Sequence, residues 1–296
     1  MIKDGGRDDG HPVRQDNHIK RGTVEREPRF KFGQNWEVFS RNNLNEARIQ
    51  SSLDRLRQFM MVDNLKGRSF LDIGCGSGLS SLAAYRLGAR PVISFDFDPD
   101  SVRTCRRVRD QFACAAESDW MIYQNSILNE SIIHQIPPAD VVYAWGVLHH
   151  SGNMWLGIKN AAMLLKQGGL FYLAVYCKTK MCGVWKQIKR CYTMSPQPIQ
   201  ELMTLSYAGM VVLRYVAGLQ NPIQQIRNYS SDRGMSWYVD CRDWVGGYPY
   251  ESAAPDEVFC FLRDLGLRLR NLSAPGRGLG LLGSQCDEFL FEKPAP

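Results

Sequence analysis

The run Leu71-Asp72-Ile73-Gly74-Cys75-Gly76-Ser77-Gly78 constrains the fold more than any other stretch of the chain. Glycines at alternate positions cannot prolong a strand or open a stable helix, because each has no side chain to pack and loses much entropy on ordering. The run therefore reads as a short buried strand, Ser69-Phe70-Leu71-Asp72-Ile73, that empties into a backbone turn, with a helix from Leu79 to Leu87. Such a turn lets main-chain amides approach a ligand closely and aims a helix N-terminus at it. Its spacing is Gly-x-Gly-x-Gly, so the third glycine comes one residue early for a dinucleotide fingerprint.

Around the turn, apolar runs alternate with helical patterns. An amphipathic helix spans Leu44 to Val62, a second strand Val92 to Asp96 and a helix Asp100 to Ala115. A later strand covers Asp140 to Trp145, a helix Met154 to Leu165 and a strand Leu170 to Tyr176. This alternation predicts βαβ units and a doubly wound, mostly parallel sheet. It stops after Tyr176 and resumes with a helix at Pro255 to Leu265 and strands at Leu267 to Leu272 and Phe289 to Phe291. The expected organisation is a mobile tail over 1–30, a core over 31–176, an inserted helical and aromatic cap over 177–253, and a final helix and hairpin over 254–296.

Composition enters through its distribution. The 36 Lys and Arg exceed the 30 Asp and Glu by six. Eight bases (Lys178, Lys180, Lys186, Lys189, Arg190, Arg214, Arg227, Arg233) and two acids (Glu201, Asp232) lie between Val175 and Met235. The whole excess therefore sits in the cap, which suits an anionic acceptor or a solvated helical face and gives no support to a DNA partner. Nine scattered cysteines without a Cys-x-x-Cys pair fit reduced thiols in a cytoplasmic protein and no metal site. The first twenty residues lack an apolar core for a secretory signal. The most apolar stretch, Ile199 to Leu219, carries Gln200, Glu201, Ser206 and Arg214, which excludes stable membrane insertion. That stretch is expected mainly to pack.

Asp96 ends the second strand, where an acid accepts hydrogen bonds from ribose hydroxyls. With the glycine turn, with Asp140 to His150 and with Leu164-Leu165-Lys166-Gln167-Gly168-Gly169-Leu170, it resembles the class I S-adenosylmethionine-dependent methyltransferases. The likeness is good over 68–176 and weak over 255–296. It implies a Rossmann-like sheet of seven strands and S-adenosylmethionine as cofactor. Gly74, Gly76 and Gly78 would cradle its methionine part with Asp72 beneath. Asp96 would hold the ribose, Phe97 would lie against adenine, Ser126 and Ile127 would take the adenine edge, and Trp145 would join that site. The family often has Asp where Ser126 stands. The block Arg233 to Tyr250, with Phe32 to Trp36, resembles an uncharacterised bacterial subgroup that gives no substrate.

His149 and His150 follow the fourth strand of that pattern, where open α/β sheets place their ligand crevice. A neutral imidazole suits removal of the proton that an oxygen or nitrogen nucleophile must lose, so one of the pair is the expected base. The alternative for each is packing or capping. Trp36, Arg233, Trp237, Tyr238, Asp240, Trp244 and Tyr248 are candidate substrate contacts; Trp36 equally reads as an anchor for the tail. Gly278 to Gly283 spells Gly-x-Gly-x-x-Gly, but with too little chain behind it for a βαβ unit, so it reads as a flexible hairpin loop. The expected activity is methyl transfer to O or N of a small, anionic molecule. Three alternatives stay open: an RNA substrate, which the absence of an RNA-binding module disfavours; a lipid-linked acceptor at a membrane surface; and non-catalytic cofactor binding. The oligomeric state is not legible.

Overall fold

The computed structural model describes residues 28–113, 115–233, 237–275 and 278–295, and the side chain of Arg233 lies outside what it describes. Two helices, α1 (Phe32–Asn42) and α2 (Glu46–Met60), precede the sheet. Asn45 caps α2 by accepting from the Arg48 amide at 3.0 Å, and Met61 ends it in the left-handed region. There follow β1 (Phe70–Ile73), α3 (Leu79–Arg86), β2 (Val92–Asp96), α4 (Pro99–Val108), β3 (Trp120–Gln124), α5 (Glu130–Ile133), β4 (Ala139–Trp145), α6 (Met154–Met163) and β5 (Leu165–Tyr176). The insertion contributes α7 (Cys182–Met194), α8 (Gln197–Ala217), α9 (Pro222–Arg233) and α10 (Trp237–Gly246). Finally come α11 (Pro255–Asp264), β6 (Arg268–Ser273) and β7 (Cys286–Glu292).

The seven strands run in the order β3-β2-β1-β4-β5-β7-β6, all parallel except β7, which is antiparallel to both neighbours. This is the α/β, Rossmann-like sheet expected. Register sorts the side chains. Phe70 pairs with Val92 and Val141 and faces one apolar layer, while Leu71 pairs with Ile93 and Val142 and faces the other. Strand order reverses between β1 and β4, so their carboxyl ends open a crevice, and the glycine turn and the His pair sit there.

Three details depart from the sequence reading. The helix expected to Ala115 ends at Val108 and gives way to a π turn over Arg109–Ala113. The Lys166-Gln167-Gly168-Gly169 stretch belongs to β5, whose pairing with β4 shifts register between Ala139 and Val141. Of the tail, 1–27 lies outside the described residues, but 28–30 is part of the fold: the Phe30 amide donates to the Tyr248 carbonyl at 2.9 Å and Arg29 Nη2 to that of Ser151 at 2.7 Å.

The insertion is closed at its base. Ala253 N–H donates to Tyr176 at 3.1 Å, and Lys178 N–H to Ala253 at 3.0 Å. It has an apolar centre of its own, formed by Trp185, Tyr192, Tyr207, Cys241, Val245 and Tyr250.

Candidate active site

A single cleft of about 2060 Å³ runs from the glycine turn to the cap. At one end Gly74, Gly76 and Gly78 all have positive φ (71°, 53° and 79°), which is why no other residue type serves there. Each is also crowded. A Cβ at Gly74 would lie 2.1 Å from Val147 Cγ2, at Gly76 2.9 Å from the Trp36 indole nitrogen, and at Gly78 2.6 Å from Cys105 Sγ. Gly74 and Gly76 line the cleft; Gly78 does not, and its role is close packing against α4 at the start of α3.

Asp96 accepts from the Gly76 amide and from the Asp98 amide, both at 2.9 Å, one on each carboxylate oxygen. Burial pushes its carboxyl up to about 6 against the opposing pull of those amides. Each oxygen keeps a second lone pair, so the group can also accept from ribose hydroxyls. Asp72 is buried beneath the turn and accepts from the Ser81 hydroxyl; burial pushes it up to about 7. Phe97 lies exposed at the rim with the Arg29 guanidinium 5.0 Å from its ring centre. Ser126, Ile127 and Trp145 also face the cleft. Positive-φ glycines, an acid with unused lone pairs and a flanking ring together fit S-adenosylmethionine.

The two histidines occupy the junction between this end and the cap. His149 is buried, with its ring centre 3.8 Å from that of Tyr176, and its Nδ1 accepts from the Tyr176 amide at 3.3 Å. His150 Nδ1 lies 2.7 Å from the Pro249 carbonyl oxygen and must donate to it, since a carbonyl can only accept. Its ring also packs on Phe32, with centres 4.9 Å apart. Burial, with the Lys189 charge nearby, pushes His150 down to about 3, and holds His149 well below its ordinary value. Both rings are neutral near pH 7.

Beyond them lies a buried polar cluster that residue patterns alone do not disclose. Lys189 is fully buried, not on a solvated face, and burial holds its amine well below the ordinary lysine value: Nζ donates to the Trp244 carbonyl and sits 3.9 Å from that indole centre and 5.1 Å from the Tyr250 ring. Asp243 faces the cleft, accepts from the Asn35 side chain of α1, and is raised to about 8 by burial. Asp240 accepts from the Tyr229 hydroxyl at 2.5 Å.

Of the proposed substrate contacts, Trp36, Trp237, Asp240, Trp244 and Tyr248 line the cleft. Trp36 does so against the glycine turn, at the cofactor end. Tyr238 does not: its hydroxyl donates to Glu201 of α8 at 2.7 Å, outside the cleft wall. Gly278 to Gly283 proves to be part of the wall, stitched to the cap by Trp185 Nε1 donating to Gly280 (2.8 Å) and the Tyr207 hydroxyl to Leu282 (2.9 Å). Its glycines allow this approach, because a Cβ at Gly283 would strike the Trp244 ring at 2.6 Å. Among the described residues no cluster could hold a metal.

Fold and cleft define a Rossmann-like enzyme that uses S-adenosylmethionine, and comparison with known proteins specifies the family. The methyltransferase-domain family matches residues 45–231, and the chain belongs to it: it is an S-adenosylmethionine-dependent methyltransferase. It is 32% identical over 187 residues to a ubiquinone biosynthesis O-methyltransferase of Methylobacterium nodulans, covering 59% of this chain and 72% of that one. A ribosomal protein L11 methyltransferase of Vibrio campbellii is 32% identical over only 79 residues, 27% of this chain and 26% of its own. The fold is shared with magnesium protoporphyrin IX methyltransferase of Synechocystis PCC 6803, crystallised with S-adenosylhomocysteine (TM-score 0.51, 14% identity, 88% of this chain and 93% of that one).

Proposed function

We propose that this methyltransferase alkylates a hydroxyl or amine of a small anionic acceptor, with an aromatic hydroxy acid as the best-fitting class. One observation carries the reading. Trp145 Nε1, His149 Nε2 and Trp244 Nε1 are buried on the walls of one cleft without a hydrogen-bond partner among the described residues. Buried polar groups are ordinarily paired, so these three orphaned nitrogens, with the likewise unpartnered Ser101 Oγ on the same cleft, point to a bound ligand. All three are donors: indole nitrogens only donate, and His149 must carry its proton on Nε2 because its Nδ1 accepts. A wall of donors, with Arg214 at the cap side, suits carboxylate or phenolate oxygens. The ring-lined cap suits a flat apolar body. The likeness to the ubiquinone biosynthesis O-methyltransferase supports oxygen as the atom methylated.

The cofactor is held by the Gly74–Gly76 backbone, Asp96 and Phe97, with Trp36 closing over the turn. When bound, it supplies an activated methyl group with its own leaving group. The acceptor nucleophile must shed a proton as it gains the methyl. His150 is the base, because its Nδ1 donates to Pro249 and leaves the Nε2 lone pair available. A base held at about 3 cannot strip a resting phenol. It takes the proton late, once the alkylated oxygen has become a strong acid. His149 serves as a hydrogen-bond donor to the acceptor. Most acceleration comes from holding nucleophile and methyl in line.

The test is release of S-adenosylhomocysteine on incubation with S-adenosylmethionine and a panel of hydroxylated benzoates, catechols and their neutral esters. The acids are expected to turn over and the esters to bind at least about tenfold more weakly. Cofactor binding without release for any acceptor, or methyl incorporation into RNA alone, would overturn the reading.

A further inference from the structure

Helix α8 is two-faced. Thr204, Tyr207 and Ala208 are buried against the cap, whereas Ile199, Leu202, Leu205, Met210, Leu213 and Val216 form a continuous stripe along its other side. These are not grazing exposures: Leu202 is 64% and Leu213 67% accessible. The stripe continues round a bend of 119° through Leu219 and Ile223 at the start of α9. Scattered exposed leucines are ordinary, but eight apolar side chains in one patch are not.

The charge beside the stripe has one sign. Between Cys177 and Tyr229 the single acid is Glu201, and Tyr238 already donates to it. Exposed Lys186 and Arg190 lie on the neighbouring α7, and Arg214 lies on α8 itself, at the edge of the stripe. An apolar stripe edged by bases is the pattern of a helix that lies in an anionic lipid surface. Neither α8 nor any other described helix is long and apolar enough to cross a bilayer alone, and the bend turns α9 aside.

We infer that the α8–α9 face docks the enzyme on an anionic bilayer, with the stripe in the acyl boundary and Lys186 and Arg190 among the headgroups. The inner side of the same helix, through Tyr207, Val211, Arg214 and Tyr215, walls the cleft. Docking therefore places one wall of the acceptor site at the lipid surface, from which an amphiphilic acceptor can enter. The inference does not depend on the acceptor proposed above: turnover of a soluble acid would survive its failure.

Co-sedimentation of the full chain tests it, using vesicles of phosphatidylcholine with and without about one third phosphatidylglycerol. Binding is expected to the anionic vesicles and to be about tenfold weaker to the neutral ones. The double variant Leu202→Glu/Leu213→Glu should weaken it at least about tenfold, and Lys186→Glu/Arg190→Glu several-fold with a flatter salt dependence. Melting temperature and cofactor affinity should stay at wild-type values in both, since these side chains are exposed. No vesicle binding, binding indifferent to phosphatidylglycerol, or a solution dimer that Leu202→Glu/Leu213→Glu disperses would overturn the proposal.

Discussion

The two ends of the cleft are built by different means. At the cofactor end the geometry belongs to the backbone: positive-φ glycines and amides anchored on Asp96, all within one βαβ unit. At the acceptor end it belongs to side chains drawn from distant parts of the chain. Asn35 of α1 meets Asp243 of α10, His150 meets Pro249 and Phe32, and Lys189 meets Trp244. A backbone site tolerates almost no change at its glycines and is the same for every acceptor. A side-chain site can be altered one group at a time, and the proposed function assigns acceptor choice to it.

The largest effect is expected at Gly74. A left-handed conformation costs a side-chain-bearing residue roughly 1–2 kcal/mol, and overlap with Val147 adds about 1–3 kcal/mol. Gly74→Ala should therefore lower cofactor affinity about 100-fold by calorimetry; near-normal affinity would show that the turn is not the cofactor end at all. Next comes the His pair, where the comparison predicts separable roles. His150→Ala should lower kcat by about 10²–10³, whereas His149→Ala should mainly raise the acceptor KM, by about tenfold for a lost hydrogen bond to a charged group. Equal effects on kcat would remove the distinction drawn from their tautomers.

Legibility in the sequence followed the same divide. The turn, Asp96 and the strands near them are local patterns in which spacing alone implies geometry. β3 escaped notice because Trp120 to Gln124 is short, with an outer end that is exposed and polar. For Lys189 the sequence leaves acceptor contact and solvated face equally open, since neither its helical position nor its composition reports the rings of Trp244, Tyr250 and Tyr176 that enclose it. The Asn35–Asp243 contact joins residues more than two hundred positions apart, and no periodicity encodes that. The Gly278–Gly283 loop was legible as glycine-rich but not as cleft wall, because the reason for its glycines is the approach of a cap found elsewhere in the chain.

Titration probes the side-chain end directly. Asp243 has a carboxyl raised by burial to about 8, against about 3.9 in an unfolded chain. The folded state therefore holds its proton more tightly, and its stabilising contribution is full below pH 4 and is lost as pH climbs through 8. Unfolding free energy should fall across that window by an amount on the order of a few kcal/mol, and Asp243→Asn should remove much of the decline. Asp72 and Asp96, raised to about 7 and about 6, act with the same sign, so a residual slope remains. An unchanged slope in Asp243→Asn would mean that the cluster is wetter than its packing implies.

The smallest effect sharpens the border between the two ends. Trp36 stands on α1, which also carries Asn35 toward Asp243, so its helix serves both sites. Its own indole lies against Gly76, where a Cβ would sit 2.9 Å from Nε1, and α1 is pinned there by the Gly33 amide donating to Asp98 at 2.9 Å. Trp36→Ala should accordingly weaken cofactor binding about five- to tenfold through lost burial of one face of the ring, with the acceptor KM unchanged. The opposite pattern, a raised acceptor KM with normal cofactor affinity, would move Trp36 to the acceptor end. It would also shift the boundary of the cofactor site inward from α1 to the glycine turn alone.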